Sequence, residues 1–332
     1  MSRKELIDPE VRVPLDQLLE ALPGGFNAIE DIVQRRATVE AILAGIEVPD
    51  NPNVIREDRT VPGPQGEPDI SVRIYRPRPT ASPTTLDRTE GSPETSGPRP
   101  GIFFIHGGGM ILGNVAGEDA VATLICDQVG AVVVSVEYRL APENPHPAPA
   151  EDCYAGLRWM AEHADELGVD PDRLGVYGGS AGGGLAIAVA LMARDRGGPA
   201  LACLMPIYPM IDERNETASS HEITDIGIWD RAGNEQAWAW YLGGKPADQY
   251  AAPARAEDLS GLPPSFIDVG TVDLFRDEDI AFAQRLMQAG VPTELHVHPG
   301  SYHAAETFAV DAALSKRIWA MRVDALRRFL RS

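Results

Sequence analysis

Several things are scarce in this chain of 332 residues. Cysteine occurs only at Cys126, Cys153 and Cys203, an odd number at no metal-ligand spacing. That argues against a disulfide framework and fits a reducing compartment. Cations are also short: 29 Lys and Arg face 49 Asp and Glu, a net charge of −20. A surface of that sign repels phosphate backbones and anionic lipid, so neither nucleic acid nor a membrane is an expected partner. Membrane-length apolar runs are missing too. The stretch from Leu174 to Ala193 lacks charge, but glycines 178, 179, 182, 183 and 184 break it into strand, turn and helix. Residues 1–12 are polar and charged, without the apolar core of a secretory leader, and the expected location is the cytoplasm. What is present, 44% hydrophobic and 23% charged residues, is an ordinary globular composition with enough length for a large α/β core.

Periodicity divides the chain. Leu15, Leu18, Leu19 and Leu22, then Ile29, Ile32 and Val33, predict two short helices broken at Pro23-Gly24-Gly25. A β pair follows, Val54–Val61 and Ile70–Tyr75, around a turn at Pro62-Gly63-Pro64. Residues 77–100, rich in Pro, Ser, Thr and Gly, are expected to form an exposed mobile loop. Beyond it, strand-like runs (101–105, 131–136, 174–177, 201–208, 265–269, 294–297) mostly alternate with helix-like ones (119–129, 150–167, 185–194, 277–289). Such alternation predicts an α/β fold with a mostly parallel central sheet flanked by helices. The expected division is a helical cap segment at 1–50 and a catalytic domain at 51–332. A second cap segment is expected at 212–250, where Trp229, Trp238, Trp240 and Tyr241 gather.

Two glycine-flanked patterns carry the chemistry. Gly178-Gly179-Ser180-Ala181-Gly182 is a G-x-S-x-G between an apolar run and a helix-like run, which lifts a serine hydroxyl onto a tight strand-to-helix turn. No lysine follows, so it is not a phosphate loop. His106-Gly107-Gly108-Gly109 lies upstream. Backbone N–H groups of Gly108 and Gly109, with that of Ala181, are the candidate donors to a developing oxyanion, with His106 and Gly107 as loop scaffold. A serine needs a base, and of seven histidines His303 sits where a loop leaves the last strand, in Pro299-Gly300-Ser301-Tyr302-His303. His296 and His298 share one strand face but lack a third ligand nearby, so no metal site is expected. His146, His163 and His221 read as surface or loop residues. The orienting acid is Asp273, just past the penultimate strand; Asp268 lies inside it, and Asp277, Glu278 and Asp279 suit a helix N-terminus. The chain order Ser180, Asp273, His303 is that of the α/β-hydrolase fold.

At these residues the chain resembles the bacterial hormone-sensitive-lipase-like family of α/β-hydrolases. The matching pieces are His106 to Gly109, Tyr138-Arg139-Leu140-Ala141-Pro142-Glu143, Gly178 to Gly183, Asp273 to Glu278 and Pro299 to His303, and the likeness is greatest to carboxylesterases of the heroin-esterase type. The resemblance implies an α/β-hydrolase fold with a helical cap, hydrolysis of a small-molecule carboxylic ester, no cofactor, and a homodimer through the last strand. Three positions depart from the family's habit: Gly179 where aspartate is common, Ala304 where glycine is, and Met110 where phenylalanine is. The expected activity is that of a serine carboxylesterase on short- to medium-chain or aromatic-alcohol esters. The same machinery would serve an amide, lactone or polyester fragment; a non-catalytic binding relative would carry a damaged triad.

Overall fold

The computed structural model describes residues 3–45, 51–79 and 97–331. Eight strands form one sheet: β1 (Val54–Val61), β2 (Ile70–Pro77), β3 (Arg99–Ile105), β4 (Val132–Glu137), β5 (Val169–Gly179), β6 (Cys203–Ile207), β7 (Ser265–Val272) and β8 (Thr293–Tyr302). Their order is β1-β2-β4-β3-β5-β6-β7-β8. β1 and β2 pair antiparallel, as do β2 and β4; every other pair is parallel. Of the loop expected at 77–100, residues 80–96 lie outside the described residues, while Pro77 closes β2 and Arg99 opens β3.

Eleven α-helices accompany the sheet among the described residues: α1 (Pro9–Ala21), α2 (Ile32–Ala44), α3 (Asp119–Val129), α4 (Ala148–Glu162), α5 (Ala164–Leu167), α6 (Ala181–Arg196), α7 (Ala218–Glu222), α8 (Arg231–Leu242), α9 (Arg276–Gln288), α10 (Ala305–Phe308) and α11 (Ala313–Phe329). Successive strand residues face opposite ways. Phe103 and Ile105 therefore join the core beneath α4, α6 and α9, whereas Ile102 and Phe104 join the one beneath α3 and the end of α11. The central strands are buried on both faces, which is why they read as unbroken apolar runs.

Two departures from the sequence reading have clear causes. β8 extends to Tyr302, through Pro299 and Gly300, although Pro usually ends a strand. It is an edge strand, so a missing N–H costs no ladder bond on its open side. The C-terminal helix α11 is not predicted by the patterning above, and Arg322 lies buried on it. The N-terminal helices are tied to the sheet's carboxyl end. Asp8 N donates to Gly300 O at 3.0 Å, and Arg36 of α2 donates to the carbonyls of Ile111 and Ala141 while gripping Glu143 with both terminal nitrogens.

Candidate active site

Ser180 stands between β5 and α6 with φ 58° and ψ −120°, a strained conformation for any residue with a Cβ. The turn closes because its neighbours have no side chain. A Cβ on Gly178 would strike the Gly182 carbonyl, and one on Gly182 would strike the carbonyl of Ile105. Ser180 N donates to Ile207 O at 2.9 Å, and the Ser180 carbonyl accepts from Met210 N, so β6 and the segment that follows it fix the elbow.

His303 follows β8 directly, with its ring Nε2 2.9 Å from Ser180 Oγ and its Nδ1 2.9 Å from Asp273 Oδ2. Asp273, fully buried past the end of β7, also accepts from Phe275 N at 3.0 Å through its other oxygen. A carboxylate partner on Nδ1 fixes the tautomer that leaves Nε2 free to accept from the serine hydroxyl. The imidazole is wedged edge-on between Tyr208 and Phe275, at centroid distances of 4.8 and 5.1 Å. The three residues expected to work together are therefore assembled. Asp277 is elsewhere, paired with Arg276 and accepting from Ser219 N.

The glycine loop after β3 is pinned from two sides. Tyr138 stacks on His106 at 4.1 Å and donates its hydroxyl to the His106 carbonyl. His106 Nδ1 donates to Gly107 O at 2.9 Å, and burial lowers its pKa to about 4, so the ring is neutral at neutral pH and keeps its single proton on Nδ1. Gly107 N donates to Glu118 at 2.7 Å, which commits that N–H and leaves those of Gly108 and Gly109 as the loop's candidate donors. Gly109 lies against the Trp229 indole, where a Cβ would collide. Ala181 begins α6, so its N–H is among those a helix start leaves unbonded.

A cavity of about 560 Å³ opens onto Ser180 and His303. Phe26, Val39, Ile228 and Trp229 wall its outer side, and Gly107, Gly108 and Gly179 its floor. Two carboxylates reach it that sequence reasoning missed. Glu118 is pushed up to about 7, chiefly by burial and also by Glu306. Glu306 accepts from Tyr208 Oη at 2.7 Å and from Arg322 Nη1 at 2.6 Å. Tyr208 stands past the carboxyl end of β6, where ligands of parallel sheets gather, and that position is the signal that could have found it.

The other histidines fall into place. His296 pairs with Glu294 at 2.6 Å, and His298 faces Asp268 at 3.4 Å. His146 lies on a loop, as expected, and that loop folds under α8, so the side chain is buried between Tyr241 and Asp248. All three cysteines are free and buried. No helix among the described residues is long and apolar enough to cross a membrane.

The family model for the alpha/beta hydrolase fold matches residues 102–307, which span the glycine loop, the serine elbow, Asp273 and His303. The chain is an α/β-hydrolase. This hydrolase is 35% identical to carboxylesterase NlhH of Mycobacterium tuberculosis over 99% of both chains. It is 31% identical to an arylesterase of Saccharolobus solfataricus over 90% of its own length and 92% of the relative's. Among solved structures it is similar to a bacterial heroin esterase, at a TM-score of 0.87 and 37% identity with both chains covered in full. The expected fold and family are borne out, and the names of these relatives agree with the expected enzyme class.

Proposed function

We propose that this hydrolase is a serine carboxylesterase acting on small esters of short to medium chain length or of aromatic alcohols. The observation that carries the reading is the relay Ser180 Oγ, His303 and Asp273, each link 2.9 Å, at the floor of an apolar-walled cavity. Ser180 Oγ attacks the ester carbonyl carbon while His303 Nε2 takes its proton. Asp273 orients the ring and stabilises the imidazolium. Negative charge then grows on the carbonyl oxygen, and the N–H groups of Gly108, Gly109 and Ala181 receive it. Each such preorganised donor is worth about 3 kcal/mol of transition-state stabilisation. Collapse expels the alcohol, which takes the proton from His303, and leaves an acyl-serine. Water activated by the same histidine releases the acid. Nucleophile, base and donors are all supplied by the chain, so the reading calls for no cofactor.

Helices α1 and α2 with the turn that joins them, and the segment 212–250, serve as the cap, contributing Phe26 and Val39 from one and Ile228 and Trp229 from the other. A homodimer through edge strand β8 and a cytoplasmic location complete the proposal, the latter supported by three unpaired cysteines. Light scattering tests the dimer: a monomer mass would overturn it. For the activity, 4-nitrophenyl acetate, butyrate and octanoate are assayed with wild type and Ser180→Ala. Turnover abolished in a folded Ser180→Ala protein is expected; turnover that survives, or is absent from wild type, refutes the assignment.

A further inference from the structure

The cavity does not end at the cap segments. It continues past Glu118 and Tyr177 into a groove between α3 and α11, walled by Ala120, Val121, Leu124 and Gln128 on one side and Trp319 and Ala320 on the other. The four α3 residues share one helical face. Eight rises separate Ala120 from Gln128, so the groove runs for about 12 Å along the helix. Leu124 and Trp319 are only half-buried and offer apolar surface to it, while the small side chains of Ala120 and Ala320 keep its exposed lips apart. One wall is held rigid. The buried guanidinium of Arg322 lies 5.0 Å from the Trp319 ring centroid and is itself anchored on Glu306 and Asp268.

We propose that this groove receives an extended alkyl chain of the ester, acyl or alkoxy, while the reacting carbonyl rests at Ser180. The inference deepens the esterase reading and rests on it. Continuity with the catalytic cavity supplies the occupant: a chain bonded to a carbonyl at Ser180 is already aimed at the groove's mouth. Each methylene withdrawn from water there strengthens binding about fourfold. Selectivity for longer esters thus resides in two helices of the catalytic domain rather than in the cap.

The test narrows the lips with Ala320→Trp and, separately, Ala120→Phe, both at exposed helix positions where a larger side chain disturbs no core. Leu124→Ser, which removes apolar wall without adding bulk, is the third variant. Values of kcat/KM are compared for 4-nitrophenyl acetate, 4-nitrophenyl octanoate and octyl acetate. The ratio of long-chain to acetate values is expected to fall about tenfold or more, chiefly through KM. A fall confined to octanoate assigns the groove to the acyl chain; one confined to octyl acetate assigns it to the alcohol. Unchanged ratios for both long esters in all three variants overturn the proposal. Failure of the esterase reading looks different, since wild type would then not hydrolyse 4-nitrophenyl acetate at all.

Discussion

Arg322 Nη1 lies 2.6 Å from the Glu306 carboxylate, and both side chains are almost wholly buried beside the cavity. The same guanidinium holds Asp268 through Nε at 2.7 Å and Nη2 at 3.0 Å. Burial pushes the Asp268 carboxyl up, but Arg322 and His298 together more than offset it, and the net shift is downward. One cation therefore serves two buried anions. Replacing it with an apolar residue of similar length leaves both uncompensated, and Arg322→Met is expected to cost about 3–5 kcal/mol. Urea denaturation at neutral pH measures this; a loss below about 1 kcal/mol would mean that water or relaxation satisfies the pair.

How much of this could be read beforehand depended on distance along the chain. Ser180, Asp273 and His303 were legible because each stands just past the carboxyl end of a strand, next to a short local pattern. Arg322 was not, since its partners lie 54 and 16 residues away and a lone arginine reads as surface. Glu118 and Glu306 were invisible for the same reason: a carboxylate declares a role only through what faces it. Helix α3 was placed to the residue because Gly130, at φ 74°, stops it with a left-handed cap that the sequence announces. The loop position of His146 was legible but its burial was not, because a Pro-rich loop gives no sign that α8 will cover it.

Asp273 and Asp277 offer a direct test of the relay. Only Asp273 touches His303 Nδ1. Asp273→Asn is expected to lower kcat by roughly four orders of magnitude, since the amide favours the wrong imidazole tautomer. Asp277→Asn should stay within about tenfold of wild type. Comparable turnover by the two variants on 4-nitrophenyl butyrate would remove Asp273 from the triad.

Glu118 should leave a mark on stability against pH. Its carboxyl is raised to about 7 in the folded protein, mainly by burial, above the ordinary value of an unfolded chain. Between those two values the folded state binds a proton that the unfolded state has lost, so this group's contribution falls as pH rises. Glu118→Gln keeps the acceptor for Gly107 N–H but cannot ionise. The variant's stability relative to wild type should therefore rise from pH 5 to pH 8. Thermal melts at both values read the trend; a constant difference would show that Glu118 is not held protonated by its surroundings.

Ala304 occupies a left-handed conformation, φ 58° and ψ 26°, immediately after His303 and at the start of α10. That region costs a residue with a Cβ about 1–2 kcal/mol. Glycine adopts it freely, although it loses about 0.5–1 kcal/mol more in backbone entropy on folding. The balance favours Ala304→Gly by about 0.5–1 kcal/mol in chemical denaturation. The alanine methyl also borders the catalytic cavity, next to the ring that must keep its place against Ser180. If the variant is instead less stable than wild type, the methyl's packing outweighs the strain, and Ala304 is then a part of the pocket wall that glycine cannot replace.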